Sequence, residues 1–131
     1  MSWNFDASAP IYLQLVEKLK LEIISGSPAA GEKLASVRDL SQEAGVNPNT
    51  MQRALAELER ENLIYSERTS GRYVTEDEEL IRMMRQEIAQ EKIRHLLDDL
   101  TQLGFSGKEL KTILIERVEQ YESADRISTS Q

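Results

Sequence analysis

Asn47, Asn49, Thr50, Gln52 and Arg53 crowd polar side chains into a short run of the chain. None is a strong nucleophile or base. Their shared chemistry is paired donation and acceptance, which suits the edges of nucleic-acid bases. Asn and Gln match adenine, Arg matches guanine, and Thr can bond a base or touch a thymine methyl. Asn47 is a good helix N-cap, and Pro48 suits the first helical position, where a missing N–H costs nothing. The cluster therefore opens a helix, and a helix in a DNA major groove meets base edges with its N-terminal residues. That terminus also favours a phosphate. Residue by residue, a cap and a solvated surface explain the same letters. Set behind a two-helix turn, the cluster favours DNA.

The elements that must position these residues are legible on either side. Ser36 and Asp39 have capping-box spacing, and Val37, Leu40 and Ala44 mark one apolar face. Gly45 suits a left-handed helix exit. Val46 and Met51 are placed to staple the next helix, and Met51, Leu55 and Leu58 continue its buried stripe. Leu63, Ile64 and Tyr65 read as a strand, Glu67 to Gly71 as a turn, and Arg72, Tyr73 and Val74 as the return strand. Arg68 and Arg72 flank the tip of this hairpin, and Gly71 allows close backbone approach. A two-stranded ribbon is marginal alone, so it must lean on the helices. Upstream, a helix starting at Pro10 offers Ile11, Leu15, Leu19 and Ile23 to the core, with Tyr12 and Val16 beside them. Trp3 and Phe5, in the arm before it, are expected to tuck onto the body or a partner subunit. The expected fold is mainly α with a small β-hairpin: a winged helix-turn-helix over residues 1–75.

A second region, 76–131, begins after Thr75. Thr75 and Glu78 have capping-box spacing, and a long helix is expected to run to about Leu103. Its apolar positions are Ile81, Met84, Ile88, Ile93, Leu96, Leu97, Leu100 and Leu103. Gly104 closes it. Ser106 and Glu109 open a last helix that carries Leu110, Ile113, Leu114, Val118 and Tyr121, with a frayed tail expected from about Ser123. Burying each Leu or Ile is worth about 1.5–3 kcal/mol, so two helices alone leave too much apolar surface wet. A homodimer in a four-helix arrangement solves this. Ile81, Met84, Ile88, Leu96, Leu100, Leu103, Ile113, Leu114 and Val118 are its expected interface.

Net charge is −7, against the basic balance usual for a DNA reader. The excess is uneven: residues 1–75 hold 8 Lys/Arg and 10 Asp/Glu, and residues 76–131 hold 8 and 13. Arg38, Arg53, Arg68 and Arg72 can gather on one side of the first region. There is no cysteine, hence no disulfide or thiolate site. His95 is the only histidine; with Glu91, Asp98 and Asp99 it makes at most a weak cation site, and a solvated helix face is the simpler reading. No nucleophile elbow or phosphate-cradling glycine loop is present, so no enzyme chemistry and no cofactor are expected. No apolar run matches a membrane span and no signal pattern opens the chain, so no membrane partner and a cytoplasmic location are expected.

The stretch PIYLQLVEKLKLEIISG, then SVRDLSQEAGVNPNTMQRALAELERENLIY, then SGRYV, resembles the GntR family of bacterial transcription regulators over about Pro10 to Thr75. The resemblance implies that Arg38 contacts a phosphate or base. It puts Asn47, Asn49, Thr50 and Gln52 on the recognition helix and Gly71 at the wing, near the minor groove. The chain departs from the family at Ala30-Gly31 and Leu34-Ala35-Ser36, where P-G and L-P-S are usual. A two-helix tail without a large sensory domain is similar to the YtrA subfamily. The implied function is a homodimeric regulator, a repressor, on an inverted-repeat operator in double-stranded DNA. An effector, if one exists, would be small and of unknown chemistry. The alternative is a winged-helix protein–protein adaptor whose acidic surface repels DNA.

Overall fold

The computed structural model describes residues 4–129, with side chains through Asp125. Trp3 lies outside the described residues. In order, the elements are α1 (Ile11–Ser25), α2 (Val37–Ala44), α3 (Pro48–Arg60), β1 (Ile64–Glu67), β2 (Gly71–Val74), α4 (Glu78–Gln102) and α5 (Gly107–Thr129). They divide into two compact units, one ending at Gln86 and one beginning at Glu87.

The first unit is a three-helix body with a wing. α1 buries Leu15, Val16, Leu19, Ile23 and Ile24; α2 buries Leu40 and Ala44; α3 buries Met51, Ala54, Leu55 and Leu58. These stripes, with Leu63, Ile64 and Val74 from the hairpin, make one core. Ile11 departs from expectation. It sits in the first turn of α1, beyond the reach of the core, and is exposed. The arm before α1 is strapped down by one side chain. Gln14 accepts the Asp6 N–H (2.7 Å) and donates to the carbonyls of Asp6 (2.6 Å) and Ala9 (2.9 Å). Phe5, in that arm, is half-buried.

β1 and β2 pair antiparallel, Ile64 with Val74 through Glu67 with Gly71. The chain passes from α3 to β1 through Asn62, at φ 65°, a left-handed conformation that Asn tolerates better than most residues. The wing does not stand alone. Residues 31–34 lie along β2: Gly31 N–H bonds the Val74 carbonyl (3.0 Å), Val74 N–H the Glu32 carbonyl (2.9 Å) and Leu34 N–H the Arg72 carbonyl (2.8 Å). Tyr65 and Tyr73 stack on one face, 5.7 Å apart. The segment whose sequence departs from the family pattern is thus tied to the wing by backbone bonds.

α4 starts later than the Thr75–Glu78 spacing suggests. Asp77 accepts the Leu80 N–H (3.1 Å), while Thr75 accepts the N–H of Asp77 (3.1 Å). Asp is among the strongest N-cap residues, and here it takes the role from Thr75. Ile81 also departs from expectation. It is 6% exposed, part of the first unit's core, and so not free to meet a second copy. One turn on, Arg85 donates to the Ile24 carbonyl (2.8 Å), one of the unpaired carbonyls at the end of α1.

The second unit holds the rest of α4 and α5. Ser106 and Glu109 cap α5 reciprocally: Glu109 accepts the Ser106 N–H (3.0 Å) and Ser106 accepts the Glu109 N–H (3.3 Å). α5 is helical past Ser123, to Thr129, and no Gly or Pro interrupts it there. No side chain from Arg82 to Asp125 is buried. Leu103 is 73% exposed and Val118 59%. Leu96 of α4 lines one open cleft with Leu114, Val118 and Tyr121 of α5. No helix among the described residues is long and apolar enough to cross a membrane.

Candidate nucleic-acid interface

The geometry of α3 sorts its residues into two sides. Met51, Ala54, Leu55 and Leu58 are spent on the core. At 3.6 residues per turn, that leaves Asn49, Gln52 and Arg53 on the opposite side, and all three are exposed. Thr50 lies between the sides and is half-buried. Asn47 is committed to the fold: its side-chain oxygen accepts the Asn49 N–H (2.7 Å), which fixes the start of the helix. α2 is capped by Ser36, whose hydroxyl accepts the Asp39 N–H (3.1 Å), and leaves at Gly45, at φ 71°. Arg38, in its first turn, is exposed. Asn49, Thr50 and Arg53 line one shallow groove with Ile11 and Tyr12 of α1.

The cations separate by partner. Lys20 pairs with Glu61 (2.7 Å), Arg60 with Glu57, and Arg72 with Glu59 (3.0 Å). The acidic end of α3 is thereby matched charge for charge. The Arg60 hydrogen bond holds the Glu57 carboxyl below its usual range. Lys33, Arg38, Arg53 and Arg68, by contrast, form no ion pair or hydrogen bond among the described residues. Arg53 instead has its guanidinium carbon over the Tyr12 ring, 3.6 Å from its centre. The net charge of −2 over residues 1–75 thus conceals internally neutralised acids and cations with no ion pair among the described residues.

At the wing, Arg68 is exposed in the turn. Gly71 has φ 115°, and a Cβ there would meet the Lys33 stem at 3.3 Å. Arg72 differs from expectation. It is half-buried and bound to Glu59, which also accepts the Ser66 hydroxyl, so its charge is spent holding β1 and β2 to α3. Two residues escaped the sequence reading. The sequence places Tyr12 beside the apolar face of α1, and the Pro-Ile-Tyr run gives no sign that its ring lies under Arg53. Lys33 reaches the wing only because its loop pairs with β2, with an isolated bridge to Tyr73. No local pattern announces that.

His95 Nε2 lies 3.1 Å from Glu91 on one helix face. Among the described residues, no group of three or more His, Cys, Asp or Glu is placed to hold a metal.

Comparison with known proteins agrees with this geometry. The model of the bacterial regulatory proteins of the gntR family matches residues 11–74. A GntR-family transcriptional regulator from Listeria monocytogenes is 38% identical. Its structure superposes with a TM-score of 0.79 over 86% of this chain and 98% of that one. The HTH-type transcriptional repressor YtrA of Bacillus subtilis is 41% identical over 71 residues, 54% of this chain and 55% of that protein. The crystal structure of AraR(DBD) in complex with operator ORE1 is 25% identical, with a TM-score of 0.50, over 57% of this chain and 94% of that one. The matched family model and the likeness to the Listeria regulator over nearly all of that chain show that this chain belongs to the GntR family of transcription regulators, and it is similar to YtrA.

Proposed function

We propose that the protein is a sequence-specific, DNA-binding repressor that works as a cytoplasmic homodimer on an inverted-repeat operator. The carrying observation is the exposed side of α3. Asn49, Gln52 and Arg53 share a capped helix start, and Arg38, Arg68 and Lys33 form no ion pair among the described residues. Gln52 and Asn49 read adenine, Arg53 reads guanine, and Arg38, Arg68 and Lys33 meet phosphates. Gly71 brings wing backbone close to the minor groove. Asn47 sets the register of the reading helix.

Met84, Ile88, Leu96, Leu100, Leu103, Ile113, Leu114 and Val118 bury against a second copy. In one chain Leu96, Leu103, Ile113 and Val118 are exposed and the other four only half-buried, which supports this. Two copies supply two reading helices for two half-sites. The relatives' names support the repressor role: YtrA is a repressor, and AraR(DBD) is seen with an operator.

A gel shift at low salt with fragments from the protein's own upstream region tests the reading. Retention of one fragment over the others is expected. Retention of none supports the adaptor reading, which the net charge of −7 favours.

A further inference from the structure

We propose that Tyr12 is a positioning residue for base reading: its ring holds the Arg53 guanidinium in place on the exposed side of α3. This rests on the DNA-reading function above and adds a residue from a different helix to it. The guanidinium carbon sits 3.6 Å from the ring centre, well inside cation–π range. A guanidinium held over a ring face by its charge can keep in-plane N–H donors for an acceptor pair such as guanine presents. Nothing else among the described residues holds Arg53, which forms no hydrogen bond or ion pair there. Without the ring, an exposed arginine samples many rotamers, and ordering it on DNA costs binding free energy. The ring itself is well placed to act as a support. Tyr12 is half-buried in the first turn of α1, and Gln14, two residues on, straps the preceding arm to the same turn. Ile11, Asn49 and Thr50 complete the groove around the pair. Base reading by α3 thus depends on α1, which a helix-turn-helix reading of the chain does not include.

The test compares wild type, Tyr12→Leu, Tyr12→Phe, Arg53→Ala and the Tyr12→Leu/Arg53→Ala double variant. Each is titrated against the tightest-binding upstream duplex and a scrambled duplex of equal length. Tyr12→Leu is expected to weaken the specific duplex about two- to five-fold, the range of an exposed cation–π contact, and to leave the scrambled duplex unchanged. Tyr12→Phe keeps the ring face and is expected to bind as wild type. In the Arg53→Ala background, Tyr12→Leu is expected to add nothing. In the free protein, the Arg53 side-chain protons should show an upfield ring-current shift, present with Phe and lost with Leu; this needs no DNA. Equal losses on both duplexes, an undiminished loss in the Arg53→Ala background, or tighter binding by Tyr12→Leu would each overturn the proposal. Failure of the wild type to retain any duplex overturns the DNA reading itself. Wild-type binding with an inert Tyr12→Leu overturns only this inference.

Discussion

Arg68 and Arg72 are four residues apart and do different work. Arg68 is exposed in the wing turn with no ion pair among the described residues, whereas Arg72 is held by Glu59 at 3.0 Å. Replacing Arg68 with Ala should therefore lower the slope of log binding constant against log salt by about 1, the signature of one lost phosphate contact. Arg72→Ala should leave that slope alone and lower stability by at most about 1 kcal/mol, since the ion pair is partly solvated. A salt titration and a thermal melt separate the two. Sequence alone made these arginines equivalent, because the partner of Arg72 is brought to it by the fold. Asn47, by contrast, was legible, since capping acts within three residues. Glu22 shows the same division. Burial pushes its carboxyl up, only partly offset by Lys18, and Glu43 adds to the rise. One of its oxygens is buried with no partner among the described residues. A carboxyl raised on folding binds its proton more tightly in the native state. When ionised it therefore opposes folding, and the opposition fades as pH falls into the carboxylate range. Glu22→Gln should raise the melting temperature near about pH 7, with the gain shrinking toward about pH 4.

The elements of the first unit follow from local signals. Ser36, Asn47 and Pro48 start helices, Gly26 and Gly45 end them, and the apolar stripes assign their faces. What the sequence withheld is the pairing of residues 31–34 with β2, since no periodicity reports a contact across some forty residues of chain. That pairing answers the weakness of an isolated ribbon. It also fixes Lys33 against Gly71. Gly71→Val should accordingly disturb the wing twice, through a φ of 115° that Val resists and through a side chain pressed on Lys33. A loss of about 1–3 kcal/mol is expected in chemical denaturation, within the usual cost of a strained backbone position. A loss below the error of the fit would mean the wing bends freely at this point.

The second unit is the part of the chain that motivates the proposed homodimer. Its α5 is capped by the reciprocal Ser106–Glu109 pair, yet none of its described side chains is buried. The apolar spacing that made this legible says that the faces need a cover, and Ile81 shows the limit of such spacing. It belongs to the same stripe but is used by the first unit. If wild type sediments as the proposed dimer, Leu103→Asp combined with Val118→Asp should convert it to a monomer in sedimentation equilibrium without loss of helix content. It should also weaken operator binding far more than non-specific binding, because one half-site would then be read at a time.

Selection from a random duplex library addresses all of this at once. Wild-type protein is mixed with the library at low salt, and retained duplexes are sequenced over several rounds. An enriched motif with two-fold symmetry is predicted, its half-sites centred about one helical turn apart or a multiple of it. Gln52→Ala should relax the preference at one symmetric pair of positions. A retained pool as random as the input would mean that the α3 face does not read bases.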